Sequence, residues 1–388
     1  MITEALKQFD DIRPFEPEEL PKVYDRLLAD PQFVKVLAFL YPDTPLEAIA
    51  AKMHRCATNL DFQKTFCYGF LKKLLEKAST GCDIDTQAIS TEGRYTFISN
   101  HRDIVLDSAL LSALLVDAQF PSTCEIAIGD NLLSLPWVKD LVRINKSFIV
   151  ERRLQMRQML MASRRLSDYM HYVMDVKHDN IWIAQREGRA KDSNDRTQEA
   201  ILKMMTMGGE GSHVERLLSM HIVPLAISYE YDPCDFLKAR EFQLRRDVEG
   251  WQKGANDDIV SMKTGILGYK GRIHYHCAPC IDEWLRSLDS DLPKTEFYTA
   301  VAQHIDEEIF RNYRLYAGNY VAADLLEGNR RFASHYTEAE SDAFKRYVDS
   351  RIAKIDLQNA DADFLYERIL TMYANPVINK ANALHNAE

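Results

Sequence analysis

Tyr95-Thr96-Phe97-Ile98-Ser99-Asn100-His101-Arg102-Asp103-Ile104-Val105-Leu106-Asp107 is the stretch on which the reading of the fold turns. A short apolar run ends at Ile98, and a polar turn with one histidine follows. From Ser108 to Val116 the pattern becomes apolar and helical. That is a strand, a turn carrying two acids, and a helix. Such junctions in open α/β sheets are where active sites gather. An imidazole there, with a carboxylate a few residues on, has the parts of a general base and its orienter. The plainer alternative is that Asn100 or Asp103 caps the helix and His101 is an ordinary loop residue.

His-Arg-Asp also opens the catalytic loop of protein kinases, which needs an asparagine five places after its Asp. Here that place is Ser108, and no glycine-rich loop, strand lysine or Asp-Phe-Gly stretch accompanies it. The kinase reading fails. Three later blocks supply a better one. Gly129-Asp130-Asn131 leads through Leu135-Pro136-Trp137 to Ile144-Asn145-Lys146-Ser147-Phe148-Ile149-Val150-Glu151-Arg152. Then come Ile181-Trp182-Ile183-Ala184-Gln185-Arg186-Glu187-Gly188-Arg189 and Ile222-Val223-Pro224-Leu225-Ala226-Ile227-Ser228-Tyr229. In order and spacing the four blocks resemble the four motifs of the glycerolipid acyltransferase family, over roughly residues 90 to 285.

In that family the first motif is His, four residues, then Asp, with the histidine as catalytic base. Here the acid falls one place later: Leu106-Asp107 matches the usual ending, so the turn is one residue longer. Asp107 and Asp103 are both candidate partners for His101; the expected one is Asp107, reaching back from the first turns of the helix, with Asp103 as a helix cap. The second motif ends in an arginine after Phe-Ile, matched by Phe148, Ile149 and Arg152. The third is matched by Glu187, Gly188 and Arg189, with Gln185-Arg186 in place of the usual Pro or Phe. The fourth is matched by Pro224.

Moving an acyl group from a thioester to an alcohol requires a base, donors for the oxyanion and a cationic pocket for an acceptor phosphate. The base would be His101, with a carboxylate behind it fixing its tautomer. Arginine suits phosphate because its planar fork binds two oxygens. Arg152 and Arg189 are therefore the leading phosphate candidates, with Lys146, Arg186 and Lys191 behind them. Glu187 is read as binding acceptor hydroxyls or holding a neighbouring arginine, and Gly188 as serving the turn. Pro224 interrupts a strand, which points to a sheet edge or a bulge; a role in the acyl pocket is implied only by the resemblance.

The chain has 388 residues, 46% hydrophobic and 27% charged, with a net charge of −10. That composition is ordinary for a globular enzyme, and the acidic balance argues against nucleic acid as a partner. No apolar run approaches the roughly 20 residues of a membrane span, and Met1-Ile2-Thr3-Glu4 lacks the pattern of a secretory signal. The expectation is a cytoplasmic protein with peripheral contact at the inner face of a membrane. Cys56, Cys67, Cys82, Cys124, Cys234, Cys277 and Cys280 show no disulfide spacing. His274-Tyr275-His276-Cys277-Ala278-Pro279-Cys280 offers zinc ligands, but its alternation reads as a strand, with His274 and His276 on one face. Cys277 to Ile281 also matches the turn that follows a strand in the family.

Around this core the chain divides into helices over 1–90, a catalytic domain over 91–285 and a helical extension over 286–388. Strands are expected at 95–100, 124–129, 147–151, 180–186, 222–230 and 272–278, making an α/β fold with a mixed sheet covered by helices. Helical spacing marks Val23–Leu28, Phe33–Leu40, Phe62–Leu75, Phe297–Phe310 and Ala343–Ile355. A helix over Arg153–Lys177, rich in arginine and methionine, packs on the core with a basic outer face, or else meets acyl-carrier protein or anionic lipid. The resemblance implies an acyltransferase in phospholipid biosynthesis. It would use acyl-CoA or acyl-carrier protein as donor and glycerol 3-phosphate, 1-acylglycerol 3-phosphate or a similar acceptor, without metal or cofactor. The alternatives are an esterase using the same His/Asp pair, or a non-enzymatic lipid-binding relative.

Overall fold

The computed structural model describes residues 4–133, 135–152, 154–254, 256–289 and 291–385. A seven-stranded sheet runs through it in the order β1-β7-β6-β2-β5-β3-β4. The strands are β1 (Gly81–Asp85), β2 (Thr96–Ser99), β3 (Cys124–Gly129), β4 (Ser147–Val150), β5 (Asn180–Ala184), β6 (Ile222–Tyr229) and β7 (Arg272–Cys277). From β6 to β4 every pairing is parallel, and β7 runs antiparallel to β6. The sheet is therefore mixed, as expected. Its five parallel strands end at one common edge, where an open α/β sheet binds ligands.

Both faces of the sheet are buried, and successive strand residues serve opposite faces. Phe97, Trp182, Val223, Leu225 and Ile227 join one apolar core with Leu106, Leu110, Leu111 and Leu114 of the helix Leu106–Asp117. Ile98, Ile181, Ile183, Ile222 and Ala226 join the other with Leu166, Tyr169 and Met170 of the helix Met156–Tyr172. Each fully buried leucine or isoleucine contributes roughly 1.5–3 kcal/mol, so the helix starting at Leu106 is held firmly against the sheet.

The N-terminal helices Leu20–Leu28, Pro31–Leu40 and Leu46–His54 gather a separate core around Tyr24, Phe33 and Phe62. The last helices, Ala317–Glu327, Glu338–Ile352 and Ala362–His385, do the same around Phe344, Ile369 and Tyr373. Two differences from the sequence expectation stand out. The first ninety residues are not purely helical, because β1 lies among them and pairs with β7. Its five residues include two exposed-side acids, so only Cys82 and Ile84 mark the buried face. The helix Lys294–Arg311 also lies beyond the 286 boundary, yet Phe297, Val301, Ile305 and Ile309 pack into the sheet's own core.

Pro224 is not at an edge. β6 lies between β7 and β2, with Pro224 in register with Ile98. Proline is tolerated there because the antiparallel ladder to β7 opens only at Leu225–Cys277, one residue on. The Pro224 carbonyl still accepts the Ala278 N–H at 2.9 Å, so the missing donor falls where β7 has ended. The helix expected over 153–177 spans Met156–Tyr172 and ends in a wider turn at Val173–Lys177, while Arg153 lies outside the described residues. Its second half is core. Its first half exposes Met156 at 78%, Met159 at 51%, Leu160 at 57% and Met161 at 67%.

Candidate active site

The turn after β2 is built around one buried carboxylate. Asp107 is the second residue of the helix Leu106–Asp117, and its side chain is fully buried. Its Oδ2 accepts the backbone N–H of Arg102 at 2.6 Å and that of Asp103 at 3.0 Å, and lies 2.7 Å from His101 Nδ1. One oxygen thus fastens the turn to the helix and orients the imidazole. Tyr275 donates its hydroxyl to the Asp107 carbonyl at 3.0 Å, tying the same residue to β7. The His101 side chain is 13% exposed, and its ring meets Trp182 edge to face at 5.8 Å. With Nδ1 engaged, Nε2 is left without a hydrogen bond among the described residues.

Asp103 has the other role open to it. Its Oδ1 accepts the N–H groups of Val105 at 2.9 Å and Leu106 at 2.8 Å, as a helix-capping carboxylate does. The additional turn residue is absorbed there, and Asp107 reaches back to the histidine. Burial and the Asp107 charge push the Asp103 carboxyl up, against those two N–H bonds and the attraction of Arg189. Gly265, in the helix Asp257–Leu267, closes over the same carboxylate. A Cβ at that position would come within 1.8 Å of Asp103 Oδ2, so only glycine lets this helix approach the turn.

Asn100 fixes the strand end: its amide donates to the Ile227 carbonyl at 2.9 Å and accepts the Ile227 N–H at 2.8 Å. After β5, Gln185 N–H reaches the Ser99 carbonyl at 2.8 Å, which brings Glu187, Gly188 and Arg189 beside the His101 turn. Gly188 has φ +68°, a left-handed conformation that side chains resist, as the turn reading expected. Arg189 is buried among Asp103, Asp232 and Cys234. Burial opposes its charge, yet these neighbours hold its pKa above the usual guanidinium value. Its Nη1 is buried with no hydrogen-bond partner among the described residues.

Lys191 adjoins it, 3.2 Å from Glu241. Burial and repulsion by Arg189, with smaller contributions from Lys253 and Lys238, bring Lys191 down to about 7, against the pull of Glu241. Lys238 is itself buried, 2.5 Å from Asp232. Three cations, Arg189, Lys191 and Lys238, thus stand with three carboxylates, Asp103, Asp232 and Glu241, in little solvent. Arg152 and Glu187 meet each other, Nη1 to Oε1 at 2.9 Å, on the exposed rim. Such exposed pairs are worth about 0–1 kcal/mol, so the carboxylate can be displaced from Arg152 at little cost. Arg186 lies half-buried in the same turn.

Lys146 is not part of this site. It stands before β4, at the opposite edge of the sheet, with Nζ 2.5 Å from Asp179 and donating to Ser122 Oγ at 2.9 Å. Position relative to the strand decides this: a residue that precedes a parallel strand lies at the wrong end. Pro224, three ladder positions before the His101 turn, likewise sits within the sheet.

Sequence reasoning missed the part played by the C-terminal helices. Asp306 accepts the Thr197 N–H at 2.8 Å and the Thr197 hydroxyl at 2.6 Å. Asn375 donates to the Asp192 carbonyl at 2.7 Å, and Asn379 to Asn194 Oδ1 at 3.2 Å. Together they clamp the loop that carries Arg189 and Lys191. Arg102, next to the histidine, is buried against Asp195 at 3.2 Å and Tyr313 at 3.3 Å. None of these contacts has a local signal, because the partners lie about a hundred or more residues apart in the chain.

Residues 83–228 match the sequence model of the acyltransferase family. No curated protein matches the chain. Among solved structures, the 1-acyl-sn-glycerophosphate (LPA) acyltransferase PlsC from Thermotoga maritima is similar at 11% identity. That likeness covers 75% of this chain and 95% of that one, with a TM-score of 0.35. The matched residues run from β1 to the end of β6 and carry His101, Asp107, Arg152, Glu187 and Arg189 in the order the family requires. By that match, residues 83–228 form an acyltransferase domain.

Proposed function

We propose that this chain transfers a fatty acyl group from an acyl thioester to the hydroxyl of glycerol 3-phosphate, 1-acylglycerol 3-phosphate or a similar lipid precursor in phospholipid biosynthesis. The observation that carries the reading is the 2.7 Å contact of His101 Nδ1 with the buried Asp107, which leaves Nε2 for substrate. In this reading Nε2 takes the acceptor hydroxyl proton as the oxygen attacks the thioester carbonyl. The tetrahedral intermediate then collapses, and the departing thiolate takes the proton from the imidazolium. The ester forms, the thioester breaks and the base returns to its starting state. No metal or cofactor enters the step.

The acceptor phosphate would lie against Arg189 and Lys191, with Arg152 at the rim. Arg189→Ala is expected to raise the acceptor KM by roughly 10–100-fold, the loss of a charge-assisted contact, while the thioester KM stays within a few-fold. Arg189→Lys should recover only part of this, having the charge without the fork. Equal effects on both substrates would make Arg189 structural. The direct test of substrate class is a matrix of acceptors (glycerol 3-phosphate, 1-acylglycerol 3-phosphate, glycerol) against acyl-CoA and acyl-carrier protein. Product with glycerol as readily as with the phosphorylated acceptors would contradict the proposal.

Contact with a membrane is proposed through the first half of the helix Met156–Tyr172. Met156, Met159, Leu160 and Met161 are exposed there, close in sequence to Arg152, Arg157 and Arg164. Apolar side chains flanked by arginines suit an anionic lipid surface. Among the described residues, no helix is long and apolar enough to cross a membrane. Met159→Asp with Leu160→Asp should reduce co-sedimentation with phosphatidylglycerol vesicles several-fold while leaving the unfolding midpoint unchanged. Undiminished sedimentation would remove this surface from the account.

A further inference from the structure

At the sheet edge opposite the catalytic turn, three side chains of different ligand chemistry converge. His221 stands immediately before β6, Cys280 lies in the turn after β7, and Asp282 opens the helix Asp282–Ser287 that follows. The backbone holds them together: the Ile281 N–H donates to the Ile222 carbonyl at 3.0 Å. The residues on either side of Ile281 are thereby brought to the residue preceding Ile222. His221 Nδ1 lies 2.6 Å from Asp282 Oδ2, and one ligand atom from each residue falls within 4.8 Å of the other two.

A second observation points to an absent ligand. Asp282 is only 9% exposed, and its Oδ1 is buried with no hydrogen-bond partner among the described residues. Leaving a carboxylate oxygen in that state is costly, and buried charges are ordinarily paired or metal-bound. The nearest cation, Arg286, is 3.9 Å from the other oxygen, too far for a hydrogen bond. The neighbouring His274 and His276 take no part: they turn to Asp83 and Asp85 on β1, and Cys277 is buried in the core on the other face.

We propose that His221, Cys280 and Asp282 bind a divalent cation of the zinc class, with water in the fourth position. Imidazole nitrogen, thiolate sulfur and carboxylate oxygen are the ligands such an ion selects, and it takes four in a tetrahedron. Coordination as thiolate would release the Cys280 proton to solvent, while the neutral His221 imidazole would bind through one nitrogen and keep its proton on the other. The ion would staple the start of β6 to the turn after β7. It stands apart from the catalytic turn, and the inference does not depend on the proposed reaction.

Cobalt(II) titration of the chelator-treated full chain tests this, because a cobalt–thiolate bond shows a charge-transfer band. One equivalent is expected to bind with that band and to be displaced by zinc. Cys280→Ser should abolish the band, and His221→Gln or Asp282→Asn should each weaken cobalt binding by at least ~10-fold. Zinc should raise the thermal midpoint of the native chain and not that of Cys280→Ser, whose fold is checked by its midpoint without metal. Absence of the band at saturating cobalt, or a band undiminished in Cys280→Ser, overturns the site.

Discussion

His101→Ala is expected to lower turnover by at least roughly 10²–10⁴-fold, the contribution that a positioned general base typically makes. Among the described residues the side chain's hydrogen bond is to Asp107 and its ring contact is to Trp182, so the unfolding midpoint should move little. Thioester binding should persist in the variant, because in the proposed reaction the imidazole acts on the acceptor hydroxyl. Single-turnover measurement at saturating substrates separates the two effects. Near-native turnover in His101→Ala would end the assignment of the base.

The second large effect is at Asp107. Asp107→Asn keeps an oxygen for the N–H groups of Arg102 and Asp103, so the turn should fold. What it loses is the negative charge that, in the proposed reaction, would stabilise the imidazolium formed as the acceptor attacks. Loss of the orienting carboxylate in Ser-His-Asp enzymes costs up to about 10⁴ in turnover, and a loss approaching that size is expected here. Asp103→Asn is the control. Asn is as good a helix cap as Asp, so it should retain most activity. If Asp103→Asn were as damaging as Asp107→Asn, the pairing of His101 with Asp107 would not be the functional one.

The strands from β2 to β6 were legible as short, largely apolar runs bounded by turn residues, β7 by its alternation, and the 95–107 junction could be read because an apolar run ends there in a polar turn. The lengthened first motif was also readable: an acid one place late still reaches the imidazole, since the capping by Asp103 takes up the extra residue. β1 was not, because a five-residue edge strand with acids on one side lacks an apolar signature. Lys146 matched a cationic pattern, yet it precedes its strand and so faces the far edge. Pro224 followed the usual edge rule for proline, and only the register with β7 shows why a central strand accepts it. Gly265, Asp306 and Tyr313 act on the site across long sequence separations, and no window of sequence carries that information.

The most direct test of the central claim is release of free thiol from an acyl thioester by the full chain, with and without glycerol 3-phosphate or 1-acylglycerol 3-phosphate. The account predicts that release depends on the acceptor, matches the acyl ester formed mole for mole, and disappears in His101→Ala. Thiol release that proceeds equally without acceptor would identify an esterase acting on thioesters. Binding without release would identify a lipid-binding protein; either result contradicts acyl transfer.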